Sequence, residues 1–477
     1  MRVRVSWYRL APSAALLTCI ASCAAPVDRP LSGAMPEVDA VFSAYTDQTP
    51  GCALGVIRDG EFVYRRGYGM ANLEHGAPID ADTVFRLASV SKQFTAMVVL
   101  LLAEEGRLSL DDPVRRWISE LRDFGDRISI RQLIHHTSGI RDYLTLMRLA
   151  GYRDADYYSA ADLLAMLARQ RDLNFRPGAE HLYSNSGYFL LGEIVERVTG
   201  QSLAAAAEER IFAPLGMSQT HFHDDHTRLV PRRASGYAPG DDGLDVSMTT
   251  LPIVGDGGVL TTVNDLLAWD RNFYQNRLGS GSPELITRWL QPGALDSGEP
   301  IEYSAGITDG TYRGRRLVSH GGSYVGFRAN ILRFPEQRFT AIVLCNVATA
   351  NPSRLGRQVA DAYLADELGP RSSDAGSEVA APAPAEFALS VAELRELEGR
   401  YVSPELRSTY VLEIAEGELY WEIPLRLRYR LVSEGRDRMR GDGWPVLFRF
   451  ERDSAGRVSG FELDAGRVVD LWFERVR

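Results

Sequence analysis

The stretch RLASVSKQF, Arg86 to Phe94, decides how the rest of the chain is read. It leads into SVSKQFTAMVVLLLAEEG, an apolar run whose length and closing Gly106 predict a long helix. Ser89 and Lys92 stand three apart, so a helix sets both side chains on one face. Lys92 is also the single lysine in a chain with 53 basic residues; the others are arginine. Arginine keeps its proton, with a pKa above ~12, whereas lysine starts near ~10.4 and drops when desolvated. The lone lysine therefore reads as a proton-handling group, with a lysine merely tolerated on a helix surface as the alternative. A serine hydroxyl is a poor nucleophile until a neighbour takes its proton, and a partly desolvated lysine can do so. Ser89 would sit in the first turn, where backbone N–H groups favour a developing anion.

From about Glu37 to about Leu368, strand and helix signals alternate. CALGVIRDGEFVYRRGYG reads as a hairpin turning on Asp59-Gly60. YFLLGEIVERVTG is a helix that ends at Gly200, and TTVNDLLAWDRNF begins with Thr262 and Asp265 at capping-box spacing. FRANILRFPEQRFTAIVLCN predicts a second hairpin, followed by a helix through about Glu367. The Ala-, Pro- and Ser-rich segment GPRSSDAGSEVAAPAPAEF has the composition of a linker. Beyond about Leu389 come short strands at nearly regular spacing: STYVLEI, ELYWEI, LRYRLVS, VLFRFERD, RVSGFELD and RVVDLWFERV. They predict a small antiparallel barrel or sandwich.

Two further motifs join Ser89 and Lys92. RPGAEHLYSNSGYFLLG places Tyr183 and Asn185 just before a helix, and VSHGGSYVGF ends a strand-like run at His320, Gly321 and Gly322. In chain order, S-x-x-K, Y-x-N and H-x-G resemble the penicillin-recognising serine hydrolases, in particular the class C β-lactamase-like group. That group includes esterases, D-aminopeptidases and carboxypeptidases. LIHHTSGI, IFAPLGMSQTHF and GDGGVLTTVNDLLAWD also look like its signatures, and the resemblance covers residues 37–368.

The resemblance implies an α/β (α+β) β-lactamase-like domain, with an antiparallel sheet flanked by helices and an all-helical region. The C-terminal strands, residues 389–477, resemble the small lipocalin-like barrels appended to some of these hydrolases; residues 369–388 would be the linker. Chemistry and resemblance together make Ser89 the nucleophile and Lys92 with Tyr183 the proton-handling pair, either of which could be the base. Asn185 would hold Lys92 and the substrate amide. Backbone N–H groups of Ser89 and Ser323 would form the oxyanion hole, with Gly321 and Gly322 letting the strand approach closely. The expected substrate is a small molecule or peptide bearing an ester, amide or lactam, handled without metal or cofactor. The alternative is a pseudoenzyme that binds peptidoglycan or β-lactams without turnover. Many β-lactamases carry Lys-Thr-Gly where this chain has His320-Gly321-Gly322. A histidine partly charged near pH 7 implies a weaker demand for an anionic substrate.

The N-terminus reads as an export signal. Arg2, Arg4 and Arg9 precede the apolar LAPSAALLTCI, which is too short to span a membrane as a mature helix. IASC, Ile20 to Cys23, resembles a bacterial lipobox, so residues 1–22 would be removed, Cys23 acylated and residues 23–36 left as a tether. A plain signal peptide is the alternative. Ala24 would favour sorting to the outer membrane, which puts the protein in the bacterial periplasm on a lipid anchor. Export leaves Cys52 and Cys345, expected as two separately buried thiols, with a disulfide open to them in an oxidising compartment. A net charge of −10 and the absence of a basic stripe argue against nucleic acid. HFHDDH, His221 to His226, fits the H-x-H-x-D-H pattern of metallo-β-lactamases, but His320 is the sole histidine downstream, so a polar loop is expected. His135 and His136 are expected to organise a loop.

Overall fold

The computed structural model describes residues 35–370, 387–424 and 427–476. The signal segment, Cys23 and residues 371–386 of the linker lie outside the described residues. No helix among the described residues is long and apolar enough to cross a membrane.

Six antiparallel strands form the central sheet: β1 (Cys52–Arg58), β2 (Glu61–Tyr68), β3 (Thr308–Tyr312), β4 (Arg315–Tyr324), β5 (Phe327–Phe334) and β6 (Phe339–Cys345). Their order is β3-β4-β5-β6-β1-β2, so the last strand of the domain pairs with the first. Asp59 and Gly60 both take positive φ, 53° and 80°, which suits the tight β1–β2 turn. β1 and β6 are apolar along nearly their whole length because both faces of the sheet are covered. Cys52, Leu54 and Val56 face a core shared with helix Pro352–Tyr363, while Ala53 and Ile57 face the larger core of the helical region.

Cys52 and Cys345 are direct partners in the β1–β6 register and form a disulfide. The expectation of two separate thiols is thereby corrected. Residues 293 apart in sequence become neighbours through a pairing that neither segment announces by itself.

Helix α1 (Lys92–Glu104) is buried from Lys92 through Leu102, as a run apolar on every side requires. Gly106 follows it at φ +71°. A 3₁₀ turn, Ala88–Ser91, precedes it, so Ser89 lies just ahead of the α-helix rather than within its first turn. Helix α2 (Asn185–Thr199) ends in a left-handed Gly200. In helix α3 (Val263–Tyr274), Thr262 caps the Asp265 amide, but the Asp265 carboxylate turns away to Gln219 and Thr220, leaving the capping box half made.

The C-terminal region is a closed barrel of eight strands: β7 (Gly399–Ser403), β8 (Ser408–Ala415), β9 (Glu418–Ile423), β10 (Leu427–Gly435), β11 (Arg438–Gly441), β12 (Leu447–Arg452), β13 (Val458–Asp464) and β14 (Leu471–Val476). β7 pairs with β14, so no edge is left open. Tyr401, Tyr410, Trp421, Phe448, Phe461 and Phe473 fill its centre. The barrel docks on the preceding domain through a buried Arg141–Glu405 ion pair of 2.8 Å and a hydrogen bond from Tyr410 Oη to the Leu149 carbonyl.

Candidate active site

Ser89 is held by a strained approach. Ala88, immediately before it, has φ +47°, a left-handed conformation that costs a residue with a Cβ. β4 runs flush against this turn: a Cβ on Gly322 would come within 2.0 Å of the Leu87 carbonyl oxygen, so only glycine fits there.

Lys92, the first residue of α1, is fully buried. Its Nζ lies 3.2 Å from Ser89 Oγ, 2.8 Å from Asn185 Oδ1 and 2.7 Å from the Asp256 carbonyl oxygen. No carboxylate forms an ion pair with it among the described residues. The Tyr183 ring lies beside it, with its centroid 4.9 Å from Nζ. The Tyr183 hydroxyl is buried and makes no hydrogen bond among the described residues. Ser89, Tyr183, Asn185, His320, Gly322 and Ser323 all line one cavity of about 1090 Å³. The three motifs thus meet, although Tyr183 and Ser89 are not hydrogen-bonded to each other.

The Asn185 amide is oriented from behind. Asp142 Oδ1 accepts from both the Asn185 backbone N–H at 2.7 Å and its Nδ2 at 2.8 Å, which turns Asn185 Oδ1 toward Lys92. Asp142 Oδ2 caps the next helix through Thr145. On the other side, the Asp256 carboxylate accepts from Tyr143 Oη at 3.1 and 3.0 Å. Burial pushes the Asp256 carboxyl above its ordinary range, against the pull of Lys92.

His320 is neutral, not partly charged. Burial, with Lys92 nearby, pushes its pKa down to about 4. Tyr303 Oη lies 3.0 Å from Nε2 and the Gly321 carbonyl oxygen 2.6 Å from Nδ1, so Nδ1 carries the proton and Nε2 accepts from Tyr303. His136 packs against Tyr183 with ring centroids 4.2 Å apart and the rings tilted by 38°, and its Nδ1 accepts from the Ser184 N–H. His135 Nδ1 reaches the Tyr303 carbonyl. His136 therefore braces the turn that carries Tyr183, and His135 braces the segment that carries Tyr303.

The barrel reaches the same cavity. Its β13–β14 loop brings Arg467 over the Tyr183 ring, 4.6 Å from the centroid. The Arg467 carbonyl accepts from the Asp142 N–H and from Asn174. Asp142 is a cavity residue outside the quoted stretches, while Arg86, Asp256 and Arg467 lie within them without an assigned role. Asp142 had a local signal, since an acid three before Thr145 fits an N-cap. Arg467 had none. Within HFHDDH, His221 Nε2 lies 3.3 Å from His223 Nδ1, and His223 Nε2 lies 3.2 Å from Arg233 Nη1. No group of metal-ligating side chains occurs among the described residues.

Residues 38–366 match the Beta-lactamase family. The chain belongs to that family. It is 28% identical over 418 residues to a D-aminopeptidase of Gluconobacter oxydans, covering 87% of this chain and 74% of the relative. It is 32% identical over 305 residues to penicillin-binding protein 4* of Bacillus subtilis, covering 60% of this chain and 66% of that one. Among solved structures, an octameric penicillin-binding protein homologue from Pyrococcus abyssi superposes with a TM-score of 0.60 at 25% identity. That match covers 90% of this chain and 96% of the other. The protein is a serine hydrolase of the β-lactamase fold.

Proposed function

We propose that this Beta-lactamase family member hydrolyses amides of D-amino acids through an acyl-enzyme on Ser89. The relatives named D-aminopeptidase support the substrate class. The observation that carries the mechanism is the setting of Lys92 Nζ. Two of its three neighbours, Asn185 Oδ1 and the Asp256 carbonyl, can only accept, so they fix two N–H bonds. The remaining position faces Ser89 Oγ at 3.2 Å, within reach for a proton to pass between the two groups.

Lys92 takes the hydroxyl proton as Oγ bonds to the substrate carbonyl carbon. The resulting oxyanion lies against the backbone N–H groups of Ser89 and Ser323, each such donor worth about 3–4 kcal/mol. The unpartnered Tyr183 hydroxyl gives its proton to the departing nitrogen and regains one from Lys92. Water then attacks the acyl-enzyme by the reverse proton path, releasing the acid and restoring Ser89. Neutral His320 offers no charge to a β-lactam carboxylate, which argues against a dedicated penicillinase. Export and a lipid anchor on Cys23 belong to the same reading, supported by the IASC sequence. Radiolabelled palmitate incorporation that persists in Cys23→Ser would remove the anchor from it.

Parallel assays of D- and L-aminoacyl p-nitroanilides, p-nitrophenyl esters and nitrocefin test the substrate class. The expected result is turnover of D-anilides with a kcat/KM well above that for the L-anilides and nitrocefin. Preference for L-anilides or for nitrocefin overturns it.

A further inference from the structure

Three arginines are buried among the described residues: Arg86, Arg141 and Arg333. Arg141 is paired with Glu405 at 2.8 Å and Arg333 with Asp270 at 2.9 Å. Arg86 has no such partner. It is 3% exposed, forms no ion pair or side-chain hydrogen bond among the described residues, and its Nε is buried without a partner there. A guanidinium taken from water without a counterion is costly unless something arrives to neutralise it.

The surroundings sharpen the point. Arg233 lies near enough to repel Arg86 and is itself bonded to His223 rather than to an acid. Asp256 is the acid facing Arg86, and its carboxylate is engaged by Tyr143. The Tyr324 ring lies 5.8 Å from the Arg86 guanidinium, and its buried hydroxyl forms no hydrogen bond of normal geometry, with Thr249 alongside. Arg86 and Tyr324 both line the cavity that holds Ser89. Two donors therefore lie together there without a settled acceptor.

Strand β4 fixes which part of a substrate would meet them. It runs from His320, past Gly322 against the Ser89 turn, to Tyr324. Tyr183, the group that protonates the departing nitrogen, lies at the His320 end, with ring centroids 6.2 Å apart. Tyr324 lies four residues further on, about 13 Å along an extended strand. Arg86 is thus across the nucleophile from the leaving group. This assignment of sides rests on the acyl-transfer reading above.

We propose that Arg86 binds a carboxylate on the acyl half of the substrate, so that the preferred acyl group carries an acidic side chain. D-Glutamyl and D-glutaminyl p-nitroanilide differ only in that carboxylate and serve as probes. Calorimetric titration of full-length Ser89→Ala protein measures their binding without turnover. The D-glutamyl compound is expected to bind at least about tenfold more tightly, the scale of one charge-assisted pair. Arg86→Met in the same background should bring the ratio below about twofold, and Arg86→Lys should retain part of it. Equal affinities, no measurable binding of the D-glutamyl compound, or a ratio unchanged in both Arg86 variants overturns the proposal. If circular dichroism shows Arg86→Met unfolded, Arg86→Lys and the ratio in the Ser89→Ala parent decide it. Failure of the acyl-enzyme reading shows elsewhere, as absent chemical labelling of Ser89 in the wild-type protein.

Discussion

Lys92 in the catalytic cavity and Arg141 at the seam with the barrel are both cut off from solvent, and they are treated in opposite ways. Arg141 is tied on every side: Glu405 at 2.8 Å, Gln170 at 3.2 Å, and the carbonyls of Val469 and Asp470 at 3.1 and 2.9 Å. Glu405 is itself held by the Arg171 N–H at 2.7 Å. Lys92 is bonded to carbonyl oxygens and a serine hydroxyl, and among the described residues no carboxylate pairs with it; the nearby Asp256 carboxylate is held by Tyr143 instead. A charge neutralised by a carboxylate and several hydrogen bonds is a fastener. A basic nitrogen held only by neutral acceptors can lose and regain its proton, which is what nucleophile activation needs. Residue choice follows the same division, since the seam suits a fixed guanidinium fork and the cavity needs a side chain that can deprotonate.

The two buried cations differ most in what their replacement does to activity. Lys92→Arg keeps a buried cation but removes the base, and kcat/KM should fall about 10³-fold while the circular dichroism spectrum is retained. Activity within about tenfold of wild type would mean that the lysine is a structural cation like Arg141.

At the seam the expected effect is on stability. Glu405→Ala leaves Arg141 buried without its carboxylate, which should cost about 3–5 kcal/mol in urea unfolding. A loss below about 1 kcal/mol would show that apolar packing, not the ion pair, holds the barrel.

The two regions also differ in their response to pH. Burial lowers His320 and His135 from 6.5 to about 4 in the folded state. Between those values the unfolded chain binds the extra protons, so stability rises with pH through this window and is lost as pH falls from about 6.5 to 4. The thermal midpoint should drop over that range, and less so in His320→Gln. Both histidines belong to the catalytic domain, so the barrel should not reproduce the drop.

Much of the catalytic domain was legible because its signals are local. Ser89 and Lys92 share a helical face by spacing alone, Gly106 and Gly200 end their helices, and Asp59-Gly60 turns its hairpin. What could not be read depends on tertiary contact. Cys52 meets Cys345 through strand order, and Asp265 abandons its capping box for a loop that packs beside it. The strands Gly399–Ser403 and Arg438–Gly441 are short and rich in arginine and glycine, and they become strands because closing the barrel supplies their partners. Arg467 reaches Tyr183 from a loop nearly three hundred residues downstream, carried there by the docked barrel. The charge of His320 was misjudged for the same reason: burial, invisible in three letters of a motif, removes it.

The claim on which the rest depends is that Ser89 is an activated nucleophile. Treatment of the full-length protein with a fluorophosphonate, followed by peptide mass mapping, tests it most directly. One adduct is expected, on the peptide containing Ser89, absent in Ser89→Ala and strongly slowed in Lys92→Arg. A folded wild-type protein that takes no label, or takes it on another serine, would rule out Ser89 as the nucleophile.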